Sequence, residues 1–185
     1  HFRQALKSGE ALLAFEESDG ISFRGHTLEK CALAGFLAAI DAIAFQNKNL
    51  SEQYEALRQR YGYFYPDKAG AEVQGVGVEE WQVYKKAVVD VLQKQLFKEG
   101  DSINIGGQEK KIARINTIDG LKLIFDDKSW ILLRPSGTEP KFRYYYEVVS
   151  DEPIENVQPL LAAYRAAAEA ILTKARELVD REEDN

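Results

Sequence analysis

The segment Arg134-Pro135-Ser136-Gly137-Thr138-Glu139-Pro140 gathers the residue types that hold a dianion. Arg134 offers a planar fork for two phosphate oxygens. Ser136 and Thr138 offer hydroxyl donors, and Gly137 lets backbone N–H groups come close to a ligand. The two prolines restrict Arg134 and Glu139 to extended conformations, so the loop is stiff before any ligand arrives. Arg143, three residues past Pro140, adds a second positive charge. The plain alternative is a hairpin turn with ordinary hydroxyl-to-backbone bonds. A second segment, Phe15-Glu16-Glu17-Ser18-Asp19-Gly20, sets two adjacent carboxylates beside a serine. Glu16, Glu17 and Ser18 can accept and donate hydrogen bonds to vicinal hydroxyls, which is how a protein orients a hexose. The same string also serves as a solvated loop or a helix N-cap. Asp126-Asp127 is the nearest acidic pair, but it lacks the spacing to surround a divalent ion. His26 has no partner cluster and reads as a loop or capping residue. No catalytic residue and no metal ligand is assigned.

Several elements must position these segments. Phe2 to Leu13 has weak helical spacing, and the apolar run Ala11 to Phe15 reads as a short strand. A polar loop, Glu16 to Gly25, leads to Thr27 as the cap of a helix whose apolar positions, Leu28 to Ile43, wrap much of its circumference. Such a helix packs on more than one side, and the expected partner lies in a missing part of a parent protein. Ser51 opens a shorter helix with Tyr54, Leu57 and Tyr61 on one side. Gly62 to Gly77 has no sustained period, so it reads as a domain boundary, with a glycine-spaced hinge at Gly70 to Gly77. Downstream, Trp81, Tyr84, Val88, Val91, Leu92 and Leu96 mark an amphipathic helix ended by Gly100. Strand-like runs follow at 111–117, 121–126, 129–133 and 142–149. Asp119-Gly120 and Asp126-Asp127-Lys128 are compact turns that pair them antiparallel. Val157 to Leu178 completes a long amphipathic helix. The class is α+β: about four antiparallel strands with two helices on one face, preceded by a partial α/β domain. In the last strand Phe142, Tyr144, Tyr146 and Val148 should lie under the helices. Lys141, Arg143, Tyr145 and Glu147 should form a polar, partly cationic open face.

The 185 residues carry a formal charge of -6 and 45% hydrophobic content, enough apolar material for real cores. Net negative charge disfavours nucleic acid and acidic membranes as partners, while a local donor cluster can still hold one phosphate. Cys31, the single cysteine, excludes an intrachain disulfide, and no apolar run is long enough to span a bilayer. A cytoplasmic location is expected. The absence of methionine and the start at His1 point to a piece of a longer polypeptide.

Position for position, Arg134 to Pro140 resembles the phosphate-binding loop in the final domain of α-D-phosphohexomutases of the phosphoglucomutase/phosphomannomutase type. Lys141-Phe142-Arg143-Tyr144-Tyr145-Tyr146-Glu147 resembles the strand that follows it. Phe15 to Gly20 is similar to the Glu-Glu-Ser-x-Gly sugar loop of the third domain, and Gly25 to Lys30 to the approach to its next helix. The chain departs from that pattern at Cys31, where many members have Asp, and at Asp19, where several have Gly. The resemblance implies residues 1–70 as the end of domain three, 75–180 as the phosphate-binding domain four, and 181–185 as an acidic tail. It implies a parent isomerase that moves phosphate between the 1- and 6-positions of glucose or mannose through a bisphosphorylated intermediate. Glu16, Glu17 and Ser18 would hold ring hydroxyls. Arg134, Ser136, Gly137, Thr138 and Arg143 would hold the phosphate that is not reacting. The family's phosphoserine and Asp-x-Asp-x-Asp metal loops do not occur here. Mg2+ and hexose 1,6-bisphosphate therefore belong to the full-length enzyme, with no cofactor in this chain. Its partners would be a hexose phosphate and the missing N-terminal domains, and the fragment alone is expected to be inactive. The alternatives are a stand-alone phosphosugar-binding module, a phosphoglucosamine-type mutase, or a helix-on-sheet interaction module.

Overall fold

Chain contacts divide the molecule into two units, one up to Arg60 and the other from Tyr61 onward. The computed structural model describes residues 2–16 and 20–183. In the first unit, α1 (Arg3–Ser8) ends at Gly9, whose φ of 84° supplies the left-handed turn. Strands β1 (Leu13–Phe15) and β2 (Ile21–Phe23) pair antiparallel, Leu13 opposite Phe23 and Phe15 opposite Ile21. The second strand lies within the stretch the sequence presents as a polar loop. Three residues with one serine between two apolar neighbours are too short a signal to separate from a loop.

Helix α2 (Ala32–Gln46) follows, and Asn47 at φ 50° ends it. Its N-cap is Cys31, not Thr27 as the sequence suggests. The Thr27 hydroxyl accepts the N–H of Glu29 in the preceding turn instead. No residue of α2 is buried, and Leu33, Phe36, Leu37 and Ile40 are exposed. It packs against β2, where a side chain at Gly35 would run into Ile21, and its Ala42 carbonyl accepts a hydrogen bond from Gln53 Nε2. The next helix, α3 (Leu50–Tyr61), opens at Asn49 and not at Ser51. Asn49 Oδ1 accepts the N–H of Glu52, and Glu52 Oε2 accepts the N–H of Asn49, both at 2.9 Å. This reciprocal box satisfies two N–H groups that the helix start leaves unpaired. Asn49→Ala should therefore cost about 1 kcal/mol of α3 stability. Faster hydrogen exchange of the α3 amides, with second-unit amides unchanged, is the readout.

The second unit is an antiparallel sheet under two helices, and among the described residues it has six strands where the sequence suggests about four. They are β3 (Phe64–Glu72), β4 (Ser102–Ile105), β5 (Gln108–Asn116), β6 (Leu121–Phe125), β7 (Trp130–Pro135) and β8 (Lys141–Val149), in the order β3-β8-β7-β6-β5-β4. The extra strands are the two edges. In β3, Pro66 and Gly70 hide the strand period, and an edge tolerates a residue that cannot donate. Gly70 pairs with Arg143 and is locked there, since a Cβ would sit 2.9 Å from the Phe142 carbonyl. Of the Gly70 to Gly77 stretch, Gly70 is thus fixed within the sheet, while Gly75 lies beyond the end of β3 with no atom within 4 Å of its Cβ position. Strand β4 turns into β5 through Gly106 and Gly107, both at positive φ, a two-residue hairpin turn.

Helices α4 (Val78–Lys94) and α5 (Ile154–Glu183) cover one face of the sheet. Trp81, Val88 and Leu92 from α4 and Tyr164, Ala168 and Leu172 from α5 meet Phe142, Tyr144, Tyr146 and Val148 of β8 in one core. Helix α5 runs on to Glu183, into the stretch that the sequence presents as an acidic tail. The phenols of β8 are tied off at its rim. Tyr144 donates to Glu169 at 2.8 Å and Tyr146 to Asp67 at 2.9 Å. Burial first, and the Glu169 bond second, push the Tyr144 phenol up to about 12. The opposite face is polar and cationic: Lys122 Nζ lies 3.6 Å over the Trp130 ring, and Trp130 Nε1 donates to Glu147.

Candidate functional site

Strands β7 and β8 deliver the Arg134 to Pro140 loop, and their register fixes its two arginines. Arg134 and Arg143 are directly opposite across the ladder, while their neighbours Leu133 and Phe142 are buried. Both guanidiniums therefore emerge on the face away from the helices. Like charges set opposite one another repel. Each is held by a carboxylate: Arg134 Nη1 lies 2.8 Å from Asp119 Oδ2, and Arg143 Nη2 lies 3.7 Å from Glu139 Oε2. The Arg134 guanidinium also lies 5.8 Å from the centre of the Tyr145 ring. The Arg134 side chain is 41% exposed and its Asp119 partner 70%. An open ion pair of this kind is worth about 0–1 kcal/mol, so an incoming dianion can displace or share it.

The loop itself is rigidly anchored. Ser136 is buried, its N–H donates to the Lys141 carbonyl at 2.8 Å, and its hydroxyl accepts the N–H of Glu139 at 3.4 Å. That hydroxyl accepts within the loop, and its own O–H stays available as a donor. Thr138 is exposed, and its hydroxyl makes no hydrogen bond among the described residues. At Gly137 a Cβ would meet no protein atom within 4 Å, so the chain's own packing does not demand glycine. From the helix side, Trp81 Nε1 donates to the Ser136 carbonyl at 3.1 Å, and the Trp81 ring meets Phe142 edge-on. The Val73 N–H donates to the Pro140 carbonyl at 2.9 Å. Next to the loop is a groove lined by Glu72, Gln74, Gly75, Glu139 and Lys141.

In the first unit, Glu16 follows β1, and its N–H donates to the Gly20 carbonyl. Glu17 and Ser18, the other two sugar candidates, lie outside the described residues. Lys30 Nζ reaches Glu16 Oε2 at 3.0 Å, and its aliphatic stem packs over Gly20, where any Cβ would collide with it at 2.6 Å. Lys30 is a loop contact that the sequence reading did not single out. It lies fourteen residues from Glu16, too far for local spacing to reveal. His26 is exposed, and its backbone N–H donates to Phe23. Among the described residues no three of His, Cys, Asp and Glu gather where a metal ion would fit, and no helix is long and apolar enough to cross a membrane.

Comparison with known proteins follows the same division. Residues 67–163 match the family model "phosphoglucomutase/phosphomannomutase, C-terminal domain", and residues 1–61 match "phosphoglucomutase/phosphomannomutase, alpha/beta/alpha domain III". A phosphoglucomutase/phosphomannomutase of Thermococcus kodakarensis is 29% identical over 149 residues, 80% of this chain and 27% of that protein. A phosphoglucosamine/phosphogalactosamine mutase of Sulfurisphaera tokodaii is 29% identical over 147 residues, 79% of this chain and 27% of its own. The open form of Paramecium pp63/parafusin, a phosphoglucomutase, shares the fold with a TM-score of 0.61 at 23% identity, covering 95% of this chain and 32% of that one. The chain thus spans under a third of the length of these proteins.

Proposed function

Because the chain belongs to the phosphoglucomutase/phosphomannomutase family, we propose that it is the sugar- and phosphate-gripping portion of a mutase that interconverts hexose 1-phosphate and hexose 6-phosphate. The cross-strand pair Arg134 and Arg143 carries this reading. Two guanidiniums forced opposite each other on an exposed face are satisfied best by a ligand that carries two negative charges. Thr138 and the Gly137 backbone complete the phosphate grip, and the site's freedom from side-chain bulk at Gly137 suits a close ligand. Ser136 supports the loop from within by accepting the Glu139 N–H, and its O–H donates to the phosphate. Glu16, held by Lys30, and the neighbouring Glu17 and Ser18 grip ring hydroxyls. Such contacts, remote from the reacting end, supply binding energy that positions it.

The reacting machinery is proposed for the rest of a longer protein. A phosphoserine loop and a Mg2+ loop do not occur in this sequence, and the described residues do not fit a metal. The full-length enzyme would use Mg2+ and hexose 1,6-bisphosphate in the cytoplasm, a setting that a chain with a single cysteine fits. Glucose and mannose are the favoured sugars on the Glu-Glu-Ser string. The amino sugar reading has its own support in the similarity to the Sulfurisphaera tokodaii mutase.

Titrating the isotope-labelled chain with glucose 6-phosphate, inorganic phosphate and glucose in parallel tests the proposal. Amide shifts should concentrate at Arg134 to Thr138 with both phosphate-bearing ligands and be absent with glucose. No interconversion of glucose 1-phosphate should occur with this chain alone. Equal shifts with unphosphorylated glucose, or shifts confined to other strands, would overturn the reading.

A further inference from the structure

Peptide geometry sets where the loop's N–H groups point. The described residues contain no cis peptide bond, and in a planar trans peptide the C=O and the following N–H point in opposite directions. The Ser136 carbonyl accepts from Trp81 Nε1 at 3.1 Å. The next carbonyl, Gly137, accepts from Gln82 Nε2 and from Lys85 Nζ, both at 3.3 Å. Two successive carbonyls are therefore turned toward α4. The N–H groups of Gly137 and Thr138 must then turn away from it, toward the side of the sheet that carries Arg134 and Arg143. Neither N–H donates to another group among the described residues. Successive amides directed the same way form a concavity that attracts an anion.

Trp81 is wholly buried and packs against Phe142, so it would anchor the loop whatever the loop did. Gln82 and Lys85 differ. Gln82 is exposed, Lys85 is half-buried with its ammonium 6.0 Å from the centre of the Trp81 ring, and Gly137 is exposed. Water could serve that carbonyl equally well, so two side-chain donors add little to folding. What they fix is direction. The ammonium also polarises the peptide it bonds, which strengthens the Thr138 N–H as a donor on the far side. We propose that Gln82 and Lys85 are positioning residues that hold the Gly137–Thr138 peptide in its anion-binding orientation, making α4 a working part of the phosphate site. The inference rests on the phosphate-loop reading above.

The test compares inorganic phosphate binding to the whole chain and to its Lys85→Met, Gln82→Met and Lys85→Arg variants, followed by amide NMR. Methionine keeps the stem of each side chain against the helix surface and removes the donor. Each methionine variant should weaken phosphate binding roughly three- to tenfold, the loss expected for one directing hydrogen bond. The Thr138 amide shift on phosphate addition should shrink, and core-strand hydrogen exchange should stay as it was. Lys85→Arg should restore most of the affinity. Gln82→Met removes no charge, so its effect separates orientation from a general loss of positive potential. Full affinity in both folded methionine variants overturns the positioning role while leaving the phosphate reading intact. Absence of phosphate shifts at Gly137 and Thr138 in the unaltered chain overturns the loop reading and the positioning role together.

Discussion

Arg134→Ala should weaken inorganic phosphate binding by roughly one to two orders of magnitude, the loss expected when charge-assisted hydrogen bonds to an ionic ligand are removed. Folding should hardly register the change. Arg134 meets Asp119 through one exposed ion pair, worth about 0–1 kcal/mol, and its removal also relieves the repulsion from Arg143 across the ladder. The combination is diagnostic: a large binding effect with a small shift in melting temperature marks a residue kept for a ligand. Arg134→Lys should recover only part of the loss, because an ammonium cannot reproduce the fork that meets two oxygens in one plane. Calorimetric titration at low and high salt measures both points, and the unaltered chain should show the steeper salt dependence. If Arg134→Ala binds phosphate as well as the unaltered chain, the guanidinium serves Asp119 and Tyr145 and nothing else.

How much of this was legible in the residues depends on the range of the interaction. The face alternation of β8 was plain, because Phe142, Tyr144, Tyr146 and Val148 obey a period of two over one short stretch, and all four are buried. Helices α4 and α5 showed for the same reason at a period of three to four. The edge strands did not show. In β3 a proline and a glycine interrupt the pattern, and what makes it a strand is its pairing with β8, far along the chain, from Phe64 opposite Val149 to Glu72 opposite Lys141. The Gly106-Gly107 turn was a usable signal for β4 that the polar residues around it obscured. Helix starts were misplaced by spacing alone. Thr27 and Ser51 are good caps by type, yet the groups that start α2 and α3 are Cys31, without a side-chain bond, and Asn49. Within the candidate phosphate loop the residue types could be read, but their partners could not. Asp119 approaches Arg134 across a turn, and Gln82 and Lys85 reach Gly137 from a helix more than fifty residues upstream. Only the folded chain brings those groups together. The apolar wrap of α2 was equally visible, but its Leu33, Phe36 and Leu37 stay exposed in this chain, so pattern alone did not identify what they pack against.

Gly120→Ala should produce the largest loss of stability of any conservative change near the site. Gly120 closes the turn between β5 and β6 at a φ of 106°, a conformation that L side chains rarely adopt. A Cβ there would lie 2.1 Å from the Leu133 carbonyl and 3.0 Å from Arg134 Cα. Those atoms are backbone of a central strand paired on both sides, so they cannot give way as a flexible side chain can. Strain at positive φ and forced overpacking each cost about 1–3 kcal/mol, which places the substitution at roughly 2–6 kcal/mol. Against a typical total of about 5–15 kcal/mol, that is a large share of the stability of the second unit. The melting temperature should fall by roughly ten degrees or more. Phosphate binding should suffer as well, since the atom displaced beside the turn is the backbone of Arg134 itself. Gly75→Ala is the control that isolates the collision. Gly75 has a similarly positive φ of 78°, but no atom lies within 4 Å of its Cβ position, so only the backbone strain remains. Thermal unfolding followed by circular dichroism should therefore rank Gly120→Ala well below Gly75→Ala. Melting curves for the two that coincide would mean that the turn does not press on β7 as described, and that Arg134 is free to shift without cost to the sheet.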